Sequence, residues 1–289
     1  MCLKRQTRVW QCRDRRLSLD RPLVMGIVNV TPDSFSDGGL YDDPVRAIAH
    51  GLRLVEEGAD LLDVGGESTR PGAEPVGEAE EMRRVVPVVR ELAARGGVPV
   101  SIDTRRAAVA RAALEEGACI VNDVSPVAGD AAMVRVVREA GAGFVLMHMR
   151  GTPQTMAGLT EYDDVVGEVE SVLRESMAYA VGEGIARESL VIDPGIGFAK
   201  TTAQNVRLLA ALTRFDRIAP VLVGVSRKRL IGELCGEASA QRRLGGSIGA
   251  AVWCALRGAS IVRVHDVRET GQALAVVRVL AGEAEGSHV

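Results

Sequence analysis

The sequence predicts an α/β protein, a single (β/α)8 TIM barrel with a short hairpin-like extension at its N-terminus. Three observations carry this. Eight short runs rich in Val, Ile and Leu recur along the 289 residues; the stretches between them repeat apolar residues at helical spacing; and four of those stretches close with the same punctuation just before the next run. Continuous apolar runs suit strands covered on both faces, as parallel strands are.

In order, the runs are PLVMGIVN (22 to 29), ADLLDVGG (59 to 66), VPVSID (98 to 103), ACIVND (118 to 123), GFVLMH (143 to 148), LVIDPG (190 to 195), VLVGVS (221 to 226) and IVRVHD (261 to 266). Between them, PVRAIAHGLRLVEEG, EAEEMRRVVPVVRELAARGG and RAAVARAALEEG are amphipathic with helical period. The punctuation is EEGAD, EEGAC, EAGAG and LRGAS, in which glycine supplies the left-handed residue that ends a helix and alanine packs under the incoming strand. Eight strand-loop-helix units favour a closed barrel over an open sheet, and no GxGxxG follows the first strand to support a dinucleotide fold. Residues 1 to 20 precede the first unit, where TRVWQ and RRLSL are expected to pair as a hairpin closing the barrel's bottom; residues 21 to 289 form the barrel, with no linker or second-domain boundary.

Composition excludes several classes. Formal net charge is -3, and Lys and Arg are scattered except for Lys4, Arg5, Arg8, Arg13, Arg15 and Arg16, which read as a solvated strand face rather than a nucleic-acid surface. No run approaches the roughly 20 apolar residues of a membrane span, and the N-terminal segment lacks a signal peptide's apolar stretch. The expectation is a cytoplasmic protein with no nucleic-acid or membrane partner. Cys2, Cys12, Cys119, Cys235 and Cys254 form no CxxC pair and read as small hydrophobes, not a disulfide or zinc framework.

In such a barrel the ligand site lies at the carboxyl ends of the strands. Those ends deliver Asn29; Glu67, Ser68, Thr69 and Arg70; Asp103; Asn122 and Asp123; His148; Asp193; Ser226, Arg227 and Lys228; and Arg263, His265 and Asp266. Singly, each has an ordinary explanation: Asn and Asp cap helices, Asp103 before Thr104 is cap-like, and Met147 and Met149 beside His148 suit packing. Jointly they aim carboxylates, amides and a cluster of cations at one mouth. Asp103 and Asp193, if ionised, accept hydrogen bonds from a heterocycle rich in N–H groups, while Asn122 offers both donor and acceptor. Lys228, Arg263 and His265 suit an anion with several oxygens, such as a diphosphate. Asn29 offers a hard oxygen to a Mg2+ otherwise held by phosphate and water. No GxSxG, Cys–His pair or HExxH appears, so the chemistry reads as positioning and charge stabilisation around a substrate carrying its own leaving group.

These residues resemble the dihydropteroate synthase family of pterin-binding barrels. The resemblance runs from Pro22 to the last helix through MGIVNVTPDSFSDGG, DVGGESTRPGA, SIDT, VND, MHMRGTPQTM, DPGIGFAK, GVSRK and RVHDV, in register with all eight units. It implies condensation of 6-hydroxymethyl-7,8-dihydropterin diphosphate with 4-aminobenzoate, with Mg2+, in a homodimer. Carried over by position, Asp103, Asn122, Asp193 and Lys228 resemble the pterin contacts; Asn29, Thr69, Arg263 and His265 the diphosphate and Mg2+ site; and Phe35, Thr69, Arg70, Pro71 and Ser226 the aminobenzoate pocket. Asp103, Lys228 and Arg263 carry the catalytic expectation. The resemblance further implies dissociative substitution at the pterin methylene, with the loop from Val30 to Leu40 opening for the diphosphate and then folding over to bring in Asp33 and Phe35. Ile196 stands where some members carry an aromatic, and Pro126 where glycine is common. Two rivals remain. A pterin-binding methyltransferase module would have no diphosphate for TRPGA and SRK to hold, and a non-catalytic paralogue would be expected to lack TRPG or Phe35, which are present.

Overall fold

The computed structural model describes residues 8–30, 44–68, 72–125 and 131–286. Strands β1 (Val9–Cys12) and β2 (Arg15–Ser18) form an antiparallel hairpin; β3 (Leu23–Asn29), β4 (Leu61–Gly65), β5 (Val100–Asp103), β6 (Ile120–Asp123), β7 (Gly143–Met147), β8 (Leu190–Asp193), β9 (Val221–Gly224) and β10 (Ala259–Val264) form a closed parallel barrel in that order, β10 pairing with both β9 and β3.

Helices α1 (Pro44–Glu56), α2 (Glu78–Arg95), α3 (Ala107–Glu115), α4 (Ala131–Ala140) and α5 (Val165–Gly182) follow β3 to β7 singly. The next two crossovers depart from one helix per unit. α6 (Thr202–Ala210) and α7 (Leu212–Phe215) follow β8, and α8 (Arg229–Cys235) and α9 (Leu244–Leu256) follow β9, before α10 (Val267–Gly286) closes the chain. α8 stops where Gly236 turns left-handed at φ 66°, which an apolar-run pattern does not reveal.

The repeated punctuation does what its composition implies. Gly58, Gly117, Gly141 and Gly258 all take positive φ, between 61° and 109°. At three of these ends the following alanine donates back across the last turn: Ala59 to the Leu54 carbonyl at 2.9 Å, Ala118 to Ala113 at 3.0 Å and Ala142 to Val137 at 3.1 Å. This satisfies orphan carbonyls and aims the chain into the next strand.

Strand residues alternate between two cores. Outward residues such as Val28, Val64, Ile102 and Val262 pack beneath the helices, while Leu23, Met25, Leu61, Val145, Leu222 and Ile261 fill the lower barrel. The hairpin inserts Trp10, Cys12 and Leu19 into this lower core, all fully buried. Trp10 Nε1 donates to the Ser189 carbonyl at 2.9 Å. The plug seats because Gly143 has no side chain; a Cβ there would stand 2.5 Å from Cys12 Sγ. The basic extension is more than a solvated face. Arg13 donates its Nη1 to the carbonyls of Leu114 (2.7 Å) and Ala118 (3.1 Å), and Arg8 pairs with Asp216 at 2.6 Å; Lys4 and Arg5 lie outside the described residues. Cys12, Cys119 and Cys254 are buried free thiols, and burial pushes Cys254 up to about 12.

Candidate active site

The inward face of the strands changes character at one level. Above the apolar lower core come Asp63, Asp103, Asn122, Asp193 and Arg263. Gly65 and Gly224 occupy inward positions at the same height, where a Cβ would lie 3.4 Å from Asp103 Cβ and 3.8 Å from Lys228 Nζ respectively. Their missing side chains leave the flanks of those charged groups clear, as a planar ligand requires.

A charged network sits on one side of the mouth. Arg263, from β10, donates through Nε to Asp63 Oδ2 at 2.6 Å and through Nη2 to Asp103 Oδ2 at 2.8 Å. Asn122 Nδ2 donates to the same Asp63 oxygen at 3.0 Å. Asp63 is wholly buried, and among the described residues its Oδ1 has no hydrogen-bond partner, nor has Ser101 Oγ at the paired register position on β5. Burial pushes Asp103 up to about 7; Arg263 opposes the rise and Asp63 adds to it. The two carboxylates hold the Arg263 guanidinium above its ordinary value, although burial works against them.

Two lysines, Lys200 buried and Lys228 half-buried, organise the far side. Asp193, four strands round from β4, accepts a 2.7 Å bond from the Gly195 N–H, and burial lifts its carboxyl above the usual range against the pull of Lys228. Lys228 donates to the Ile196 carbonyl, stands 4.8 Å from the centre of the Phe198 ring, and is lowered by burial to about 8 with Asp193 opposing. Lys200 donates to the carbonyls of Gly195 (3.0 Å) and Phe198 (2.9 Å). The segment after β8 is therefore tied from beneath by one ammonium and from the side by another. Gly195 is required there: at φ 69°, a Cβ would stand 1.9 Å from the His148 carbonyl oxygen.

His265, expected at the diphosphate site, and Ser226, expected in the aminobenzoate pocket, are in contact: Ser226 Oγ is 3.0 Å from His265 Nδ1 and accepts the His265 N–H at 3.2 Å. Arg227, at φ 58°, turns away from the mouth to pair with Asp266. Met147 and Met149 pack with Val124, Met156 and Phe198, as packing residues would. The capping explanation fails for Asp103 and Asp193. α3 has Arg106 at its N-cap position, α5 Asp164, α6 Thr201 and α8 Lys228, so neither Asp103 nor Asp193 caps the next helix.

Phe35, Thr69, Arg70 and Pro71, together with Asp33 and Pro126, lie outside the described residues. The described residues beside that segment are well tied. Gly72 N donates to the Pro153 carbonyl at 3.1 Å, Gln154 to that of Ala73 at 2.7 Å, and Glu67 takes Arg105 at 2.6 Å and Arg106 at 3.1 Å.

Sequence reasoning passed over Asp63 and Lys200. Asp63 lies inside a strand motif rather than at its end, yet it has the same parity as Gly65, so alternation alone turns it into the barrel. A carboxylate there demands a partner. Lys200 is the last residue of DPGIGFAK and carried no signal beyond its charge.

For a metal, Asn29 ends β3 half-buried at the mouth. Among the described residues no group of three or more His, Cys, Asp or Glu gathers to hold an ion by protein ligands alone. One hard amide oxygen beside an anion site fits a magnesium held mainly by phosphate and water.

Comparison with known proteins agrees with this geometry. Residues 25–265 match the family model described as pterin binding enzyme. The dihydropteroate synthase of Neisseria meningitidis serogroup B is 47% identical over 278 residues, covering 94% of this chain and 97% of that protein. The Xanthomonas albilineans dihydropteroate synthase structure with 4-aminobenzoic acid superposes with a TM-score of 0.90 at 49% identity, covering 96% of this chain and 99% of that one. The same enzyme in complex with 7,8-dihydropteroate gives 0.86 at 47% identity, covering 94% and 98%. The chain belongs to the dihydropteroate synthase family of pterin-binding enzymes.

Proposed function

We propose that the protein is a transferase that joins 4-aminobenzoate to 6-hydroxymethyl-7,8-dihydropterin diphosphate, forming dihydropteroate and releasing diphosphate. The observation that carries this is the convergence of Asp103, Asn122, Asp193, Lys228 and Arg263 on one mouth, above a sealed apolar core. Asp103, Asn122 and Asp193 hold the ring by its N–H groups, and Lys228 faces it as a donor. As the bond from the methylene carbon to the diphosphate oxygen breaks, the electron-rich ring carries the developing positive charge. Arg263 meets the leaving group with Nη1, which neither carboxylate pair uses. His265, Thr69 and Asn29 complete the anion site. The arylamine nitrogen then bonds to the methylene carbon and gives up a proton, while Phe35, Thr69, Arg70, Pro71 and Ser226 frame the aminobenzoate. Asn29 would hold a magnesium together with the diphosphate, and the ion would supply neutralising charge to the leaving group.

The protein acts as a homodimer in the cytoplasm. What supports the dimer is an apolar strip on α9 and α10, where Trp253, Leu256, Val276, Val279 and Leu280 are all more than 40% exposed. Among the described residues no helix is long and apolar enough to cross a membrane.

The test is diphosphate release by the purified protein with the dihydropterin diphosphate and Mg2+, with and without 4-aminobenzoate. Aminobenzoate-dependent release with dihydropteroate formed is the expected result. Pterin binding without product would overturn the transferase reading and favour a non-catalytic pterin binder.

A further inference from the structure

We propose that Asp63 is a positioning residue that fixes the polarity of the Asn122 side chain, so that Asn122 meets the substrate ring through its carbonyl oxygen and not through its NH2 group. The inference rests on Asn122 being a pterin contact, as set out above.

An asparagine leaves its own orientation open. Its amide has a donor end and an acceptor end of nearly the same shape, and position alone does not say which faces a ligand. Here a neighbour decides. Asp63 Oδ2 takes the Arg263 Nε at 2.6 Å, so a carboxylate lies against a guanidinium, and it is an acceptor only. Asn122 lies 3.0 Å from the same oxygen. Only its NH2 end forms a bond there. The reversed amide would set oxygen against oxygen inside a buried layer, where Asn122 is 4% exposed and Asp63 not at all. With Nδ2 committed inward, Oδ1 is the end that remains for the mouth.

This narrows what the site recognises. Asp103 stands beside Asn122 in register across β5 and β6, and Asp193 lies on β8. All three groups then present acceptors, and Lys228 is the donor. The ring must offer hydrogen-bond donors in three places, and a heterocycle with a lone pair opposite Asn122 Oδ1 is rejected. Asp63 touches no substrate; it acts through Asn122.

Solvent exchange of the Asn122 side-chain amide protons tests the pairing. They are identified by NMR in the full chain from their loss in N122A, with thermal melting of each variant as the folding control. Slow exchange before ligand is added is expected in the wild type, and D63A, which removes the acceptor, should speed it at least tenfold. Fast exchange in the wild type, or unchanged exchange in a folded D63A, overturns the proposal. Should D63A not fold, the wild-type exchange rate decides. Calorimetric titration of 6-hydroxymethylpterin reads the ring side. N122D sets two carboxylates against each other and is expected to weaken binding at least thirtyfold. Wild-type affinity in N122A would instead remove Asn122 from the pterin site and sink the reading beneath.

Discussion

Lys200 Nζ lies 2.9 Å from His148 Nδ1, both side chains buried, with no carboxylate in hydrogen-bond contact with the ammonium among the described residues. Burial, with the lysine's charge beside it, holds the imidazole down to about 3, so it stays neutral at any working pH and its ring nitrogen is open as an acceptor. Burial also lowers Lys200 to about 7, with Asp193 opposing and Lys228 reinforcing the fall. The pair joins the end of β7 to the segment carrying Ile196 and Phe198.

K200M should therefore loosen the pterin site without touching the ligand. Loss of these bonds to a buried cation is expected to weaken pterin binding by about tenfold, equivalent to roughly 1.4 kcal/mol. Stability supplies an independent check. Between about 7 and 10.5 the unfolded chain holds a proton on Lys200 that the folded chain has shed, so the contribution of this lysine to stability rises with pH across that window. Denaturant melts at pH 7 and 9.5 should show the gap between wild type and K200M widening at the higher pH; a constant gap refutes the shift.

Asp103 leads to a second pH effect. With its carboxyl at about 7 in the free site, part of the population is protonated at neutral pH, whereas a ring presenting N–H groups binds the ionised form. Pterin affinity should climb between pH 6 and 8 and binding should release protons. Calorimetry in two buffers of different ionisation enthalpy measures that release directly. D103N should bind more weakly and show neither the slope nor the proton release.

The hairpin plug makes a stability prediction remote from the chemistry. W10A removes a fully buried indole and its bond to Ser189, and is expected to cost about 3 to 5 kcal/mol. For a chain of this size that is on the order of 10 °C in melting temperature. Pterin affinity at 20 °C should be unchanged, because Trp10 lies at the end of the barrel away from the mouth. A melting temperature within 2 °C of wild type would show the plug to be dispensable.

The dimer is tested by placing charge on the apolar strip. V279D/L280D alters two side chains of α10 that are 60% and 63% exposed, so the fold should tolerate it. Light scattering should report a dimer for the wild type and a monomer for the variant. Equal masses would move the interface elsewhere.

The barrel was legible because its signals are local and repeated: buried parallel strands read as apolar runs, and EEGAD, EEGAC, EAGAG and LRGAS each carry their own stop. The mouth was legible at Asn29, Asp103, Asn122, Asp193, Lys228 and Arg263 because a strand end has a defined place in a barrel. The pairings among those residues were not. That Arg263 bridges two carboxylates, that Ser226 meets His265, and that Asp63 and Lys200 belong to the same layer all depend on strands far apart in the chain.

The barrel closes only when β10 pairs with β3, and Trp10 belongs to the opposite end of the chain. During synthesis at about 5 to 20 residues per second, the hairpin leaves the ribosome roughly 12 to 50 s before the strand that completes its socket. The order of manufacture is thus the reverse of the order of burial. The Trp10 side chain is made early and sheltered late, and for most of translation its indole is a handle that chaperones can hold.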